Sequence, residues 1–201
     1  LSIYLIYKKK NLKLLFLFFL FTIPFFPTKF NFGMGQINNF VLLFSILGLS
    51  NPFFLALATG IKFAPAIFAL YFVITRDWKK LKKYLVYLIL LVLLSFILVP
   101  PNFQSSYYTR VLPLSFTDGA KDWYYNQSLY GFLARTIVSK EIVKIVFYTL
   151  ASIIVFVTII IKTDNRRKLA AVSSLYLLIH PIALQHYFGF ALIPLILLGL
   201  S

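Results

Sequence analysis

The chain has 201 residues, 61% of them hydrophobic and 19% aromatic, with a formal net charge of +15 and a mean hydropathy of +0.88. Apolar runs recur along the whole length, which excludes a soluble domain built around one buried core. They lack period-2 alternation, which excludes a membrane β-barrel and leaves helices as the way to satisfy backbone groups in lipid.

The basic residues stand in blocks between apolar runs, a distribution that reports membrane topology rather than a nucleic-acid-binding face. Cysteine is absent, so there is no disulfide framework and no Cys-based metal site. Two His and five acidic residues leave little material for a metal centre. The expected fold class is an all-α polytopic membrane protein.

In chain order, Leu1 opens the sequence inside an apolar run without a Met, and the chain stops at Ser201 just after another run. It therefore reads as a fragment of a longer protein. The first basic block follows an apolar run instead of preceding one, so no signal peptide is visible. Lys8, Lys9, Lys10 and Lys13 form that block; Arg76, Lys79, Lys80, Lys82 and Lys83 form a second; Lys162, Arg166, Arg167 and Lys168 form a third. These hold most of the twenty Lys and Arg residues and are expected on the cytoplasmic side.

With the first two blocks inside, an even number of crossings must lie between them. The run 14–27 goes out and 28–38 forms an outer loop. The run 41–49 returns, Asn51-Pro52 makes an inner turn, 54–61 rises and 66–75 descends. A span needs about 20 apolar residues, so these three runs are expected to stop short. That leaves a hydrated outer cavity in which Lys62, Gln36 and His186 meet. The run 84–99 is a full span halted by Pro100-Pro101, after which 102–140 is a long polar outer stretch. The run 142–161 crosses inward, 169–179 rises to His180-Pro181, and 187–200 descends. No internal repeat or inter-domain linker interrupts the chain.

Several ordered motifs resemble glycosyltransferase family 87. They are Gly35-Gln36-Ile37-Asn38, Gly60-Ile61-Lys62-Phe63-Ala64-Pro65, Arg76-Asp77-Trp78-Lys79-Lys80, Asn126-Gln127-Ser128-Leu129-Tyr130-Gly131 with Arg135, and His180-Pro181 with His186-Tyr187. The last departs from the family pattern, with His180 in place of Ser and Leu184 in place of Trp. The resemblance implies one transmembrane glycosyltransferase domain over 1–201, a GT-C type helix bundle with short or broken helices, lacking its first span and first outer loop. It implies an inverting hexosyltransferase of the cell membrane, integral and multi-pass. The sugar, typically mannose, would pass from a polyprenyl-phosphate donor to a lipid or glycan acceptor on the outer face. The implied general base is a carboxylate in the missing first outer loop, with Asp118 and Asp122 as the local fallback. The implied partners are donor, acceptor and membrane lipids, with no nucleic acid, metal or cofactor.

Within that frame, Lys62, Arg135 and His186 are candidates for the donor phosphate. Lys62 is hemmed in by Ile61, Phe63 and Ala64, and a lysine at the centre of a membrane helix costs about 2.5 to 3.5 kcal/mol unless a cavity or an anion receives it. Arg135 can fork two hydrogen bonds onto a phosphate. His186 can donate a hydrogen bond or move a proton near neutral pH. The competing readings are a snorkelling lysine, an interfacial arginine and an interior histidine. Gln36, Asn38, Asn126, Gln127 and Ser128 are candidates for sugar hydroxyls, with Trp123, Tyr124 and Tyr125 as stacking surfaces. Asn126-Gln127-Ser128 also fits a glycosylation acceptor or a loop-ordering cluster, and the aromatics fit an interface belt. A transporter or flippase of a lipid-linked or anionic solute is the alternative, since broken helices and intramembrane cations suit it as well.

Overall fold

The computed structural model describes residues 29, 33, 35–111, 126–180, 183 and 185–194. Every regular element among them is helical. The described residues form the α-helices α1 (Asn38–Gly48), α2 (Pro52–Ile61), α3 (Ala69–Ile74), α4 (Trp78–Leu98), α5 (Pro101–Ser106), α6 (Leu129–Thr136), α7 (Lys140–Ile160) and α8 (Asn165–Ile179). Two 3-10 segments, Ala64–Phe68 and Gln185–Ala191, and a π-helical turn, Tyr107–Val111, complete the set.

Local chemistry accounts for the first hairpin. Asn51 accepts a hydrogen bond from the Phe53 N–H and Pro52 occupies the first turn, so α2 starts immediately after α1 ends. Gly48 lets the two helices touch: a Cβ there would lie 2.5 Å from the Leu55 Cβ. Lys62 is already extended, and Pro65 directs the chain into the 3-10 segment that continues as α3. The return run is thus a broken helix. At the end of α3 the chain reverses through Arg76 at φ 57, with the Asp77 N–H bonded to the Phe72 carbonyl and the Arg76 N–H to that of Val73. This is the pairing of a left-handed helix terminus, a place usually given to glycine.

Asp77 caps α4 by accepting from the Lys80 N–H, and Lys80 reaches back to donate to the Leu49 carbonyl at 3.0 Å. This clasp puts the α1–α2 turn at the same end of the molecule as the second basic block. Both α2 and α4 rise from there, and Thr59 on α2 meets the Tyr84 hydroxyl on α4 at 3.2 Å.

Two helices, α4 and α7, are long and apolar enough to cross a membrane. Very little of either is covered by protein: Ile89 is 58% and Ile97 80% exposed on α4, and α7 exposes Ile145, Ile153 and Phe156. A core helix of a soluble protein would bury such residues, whereas a lipid-facing helix leaves them outward. The shorter apolar helices lie inside this frame. The main core joins α1, α2, α3, α4 and α8, and its densest point is the aromatic group Phe68, Tyr176 and Phe190, with Tyr176 and Phe190 stacked at 4.0 Å. A smaller core of Leu133, Val143 and Phe147 seats α6 on α7.

The stretch 102–140, expected as a polar outer loop, contains helical structure. Pro101 ends nothing further; at the first position of a new helix its missing N–H costs no hydrogen bond, so α5 begins there. The Gln104 amide then folds back onto the Ser95 carbonyl at 2.8 Å. Ser128 caps α6 by accepting from the Gly131 N–H at 3.0 Å.

Candidate functional site

Two polar clusters lie at the end of the molecule opposite the Lys80 clasp. The first forms where α1 begins and α2 ends. Gly35, at φ 61, turns the chain through a conformation open to glycine, Gln36 is half-buried and Asn38 is buried at the first position of α1. The Lys62 ammonium donates to the Asn38 Oδ1 at 2.6 Å. The neighbouring Asn39 keeps its amide nitrogen buried without a hydrogen-bond partner. A buried unsatisfied donor is uncommon in a native structure and carries a desolvation cost that a ligand oxygen would relieve.

The depth of this cluster follows from helix lengths. Starting from the same end, the ten residues of α2 rise about 15 Å, while the 21 residues of α4 rise about 31 Å. Lys62 therefore lies near half the height of α4. The Lys62–Asn38 pair thus stands about 15 Å short of the far end of α4.

The second cluster is centred on Asn126, which is fully buried. Its Oδ1 accepts from the Ser128 N–H at 3.1 Å and from the Ala183 N–H at 2.9 Å. The Gln127 N–H donates to the Ala183 carbonyl at 2.9 Å, and Arg135 donates to the Asn126 carbonyl at 2.7 Å. Gly131 makes room for this: a Cβ there would stand 2.6 Å from the Asn126 carbonyl oxygen. The arrangement ties the entry of α6 to Ala183 and hence to the segment Gln185–Ala191, which packs against α1 and α8. Burial of Asn126 and Ser128 also closes the glycosylation-acceptor reading for the folded protein.

The candidate residues thus divide. Asn38 and Lys62 meet directly, with Gln36 beside them in sequence. Asn126, Ser128 and Arg135 form the second group, with Gln127 joined through its backbone and its residue surface exposed. The backbone of His186 belongs to the 3-10 segment that links the two groups, while its side chain lies outside the described residues. Asp118, Asp122, Trp123, Tyr124 and Tyr125 also lie outside them. His180 ends α8, its ring 6.1 Å from that of Tyr176. Sequence reasoning did not single out Asn39 or Gly131. The Asn38-Asn39 pair at the head of an apolar run was the available signal for the first; a glycine three residues after a capping serine was the signal for the second. Among the described residues no three His, Cys, Asp or Glu side chains gather as a metal site.

Among the described residues every regular element is helical, two helices are long and apolar enough to cross a membrane, and a lysine is set against an asparagine amide beside them. The model of glycosyltransferase family 87 matches residues 1–181, and the chain belongs to that family of membrane glycosyltransferases. No curated protein and no solved structure matches it.

Proposed function

We propose that the protein transfers a hexosyl group, mannosyl by family habit, from a polyprenyl-phosphate sugar to a lipid or glycan acceptor on the outer face of the cell membrane. The observation that carries this reading is the ammonium of Lys62, set against amides at about half the height of a lipid-exposed helix. A polyprenyl-phosphate sugar presents an anionic phosphate at the membrane interface with a long apolar tail, and the proposal puts a recess at Lys62 in which cation and phosphate meet without either facing lipid.

In the proposed reaction an acceptor hydroxyl oxygen attacks the anomeric carbon. The bond from that carbon to the phosphate oxygen breaks with inversion, and the acceptor proton passes to a carboxylate general base. The departing polyprenyl phosphate gains negative charge. Lys62 stabilises that charge more than it stabilises the intact donor, which is how a fixed cation accelerates such a step. The neutral Asn38 amide aims the ammonium without cancelling its charge. Asn39 and Gln36 are proposed to meet phosphate or sugar oxygens, and His186 is proposed as a further donor to the phosphate. Arg135, engaged with the Asn126 carbonyl, together with Asn126 and Ser128, holds the segment bearing His186 in place, and Gln127 offers the amide of this cluster to the sugar. The surrounding architecture is proposed to be a polytopic GT-C type bundle, with α1, α2 and the 64–74 stretch crossing only partway.

The test is sugar transfer from labelled polyprenyl-phosphate mannose by membranes carrying the full-length protein. Transfer that survives Lys62→Ala unchanged at equal expression defeats the assignment of Lys62 to the donor phosphate.

A further inference from the structure

The face of α4 turned away from the core changes character along its length. Lys80, Leu81, Tyr84, Leu88 and Leu91 turn inward, Lys80 to the Leu49 carbonyl and the others onto the main core. The opposite face carries Lys79, Lys82 and Lys83 in its first turns, then Val86, Ile89, Leu90, Leu93 and Ile97, all exposed. Lys79, Lys82 and Lys83 stand at i, i+3 and i+4, so their ammonium groups share one side of the helix. Arg76, held at a positive φ by the turn before α4, exposes a fourth cation at the same end. Among the described residues none of these four has an ion-pair or hydrogen-bond partner through its side chain, in contrast to Lys80. Trp78, 53% exposed, sits at the same level, the depth at which indole rings settle at a bilayer surface.

We infer that this face is a binding site for an anionic phospholipid, with its headgroup phosphate among Arg76, Lys79, Lys82 and Lys83 and its acyl chains along Val86 to Ile97. The lengthwise order decides for a lipid over an acidic protein. Cations alone would fit either, but an acidic protein has no use for about three turns of exposed aliphatic side chain directly above them. The site lies at the end expected in the cytoplasm, opposite the recess at Lys62, and does not depend on the identity of the sugar donor. Lys80 gives it a structural consequence: the same first turn of α4 that meets the headgroup also clasps the α1–α2 turn, so an occupied site steadies the base of the helices that carry Asn38 and Lys62.

The chain has two tryptophans, and Trp123→Phe leaves Trp78 as the sole indole reporter. Quenching of Trp78 by brominated phosphatidylglycerol is measured in competition with unbrominated phosphatidylcholine, and the reverse pairing is run beside it. Each basic residue near an anionic surface contributes up to about a fivefold preference, so the four together should favour phosphatidylglycerol by about 100- to 600-fold. Lys79→Gln/Lys82→Gln/Lys83→Gln should reduce the preference to about fivefold, the share of Arg76, and the corresponding triple Arg variant should keep it. The intact two-tryptophan protein, read by native mass spectrometry of lipid adducts, repeats the comparison should Trp123→Phe fail to fold. Equal affinity for both lipids overturns the proposal. So does a preference unchanged in the triple Gln variant, or one abolished by an acidic peptide or by glycerol phosphate at the lipid's own concentration.

Discussion

Asn126→Ala separates a structural from a substrate-binding role for the second polar cluster. The substitution removes a fully buried acceptor that holds the Ser128 N–H at 3.1 Å and the Ala183 N–H at 2.9 Å. Each N–H left buried without a partner costs about 1 to 3 kcal/mol, giving roughly 2 to 6 kcal/mol for the pair before relaxation. For a chain of this size 1 kcal/mol lowers Tm by about 2 to 4 °C, so thermal unfolding in detergent should shift down by at least about 4 °C. Asn126→Asp keeps the acceptor but buries a charge, so it too should destabilise. Loss of structure should appear first in the Gln185–Ala191 segment, read as faster amide exchange of residues 185–191. The reasoning is refuted if Asn126→Ala melts within about 1 °C of the parent yet loses transfer activity, for then the amide serves the sugar and not the fold.

Gly131→Ala should destabilise by about 1 to 3 kcal/mol because its Cβ would stand 2.6 Å from the Asn126 carbonyl oxygen, whereas Gly60→Ala meets nothing within 4 Å and should leave the thermal midpoint unchanged or higher. In the complete enzyme Lys62→Ala should lower kcat/KM by about 10- to 1,000-fold; Asp118→Asn and Asp122→Asn should change it little, and a dead Asp122→Asn beside an active Lys62→Ala would move the base to the 102–140 stretch. The backbone N–H of Arg167 holds the Asp164 carboxyl below its ordinary value of 3.8. This contribution to stability is therefore present above that pH and lost as pH falls through the lower folded value; the gap in Tm between the parent and Asp164→Ala should close on acidification, and a gap that widens would contradict the cap. The chain is free of cysteine, so single cysteines at the exposed positions 79 and 127 should label with an impermeant reagent from opposite sides of the membrane, and labelling from one side would break the topology.

What could be read from the sequence was what local chemistry decides. Asn51-Pro52 marks the start of α2 because an amide cap and a proline act on adjacent residues. The break after Lys62 is equally local, since Pro65 disfavours a continuing helix. Lipid-length runs announced α4 and α7 because the bilayer sets their length. The 102–140 stretch misled because its Asn, Ser and Gln content resembles a loop. Those residues instead cap and cross-link short helices: Ser128 begins α6, and Gln104 returns to Ser95. Burial of Asn126 could not be foreseen, since its partner Ala183 lies 57 residues away and contributes only backbone.

The depth of Lys62 likewise comes from pairings that no local pattern encodes. Ending α2 after ten residues does not by itself place its last residue in the membrane, because a short helix can sit at either surface. Placement needs a register against a full span, and two side chains supply it. Lys80 joins the base of α4 to the α1–α2 turn, and Thr59 meets Tyr84 about one turn above. With both held, Lys62 is carried to about half the height of α4. A lysine at that depth costs about 2.5 to 3.5 kcal/mol on insertion scales, and the Asn38 oxygen offsets part of this while leaving the charge in place. On the proposed reading the protein keeps a cation where hydrocarbon would reject it, at the meeting of two helix ends. That combination suits a charge that must already be in position when a phosphate begins to leave, since a preorganised cation costs no reorganisation at the moment of bond cleavage.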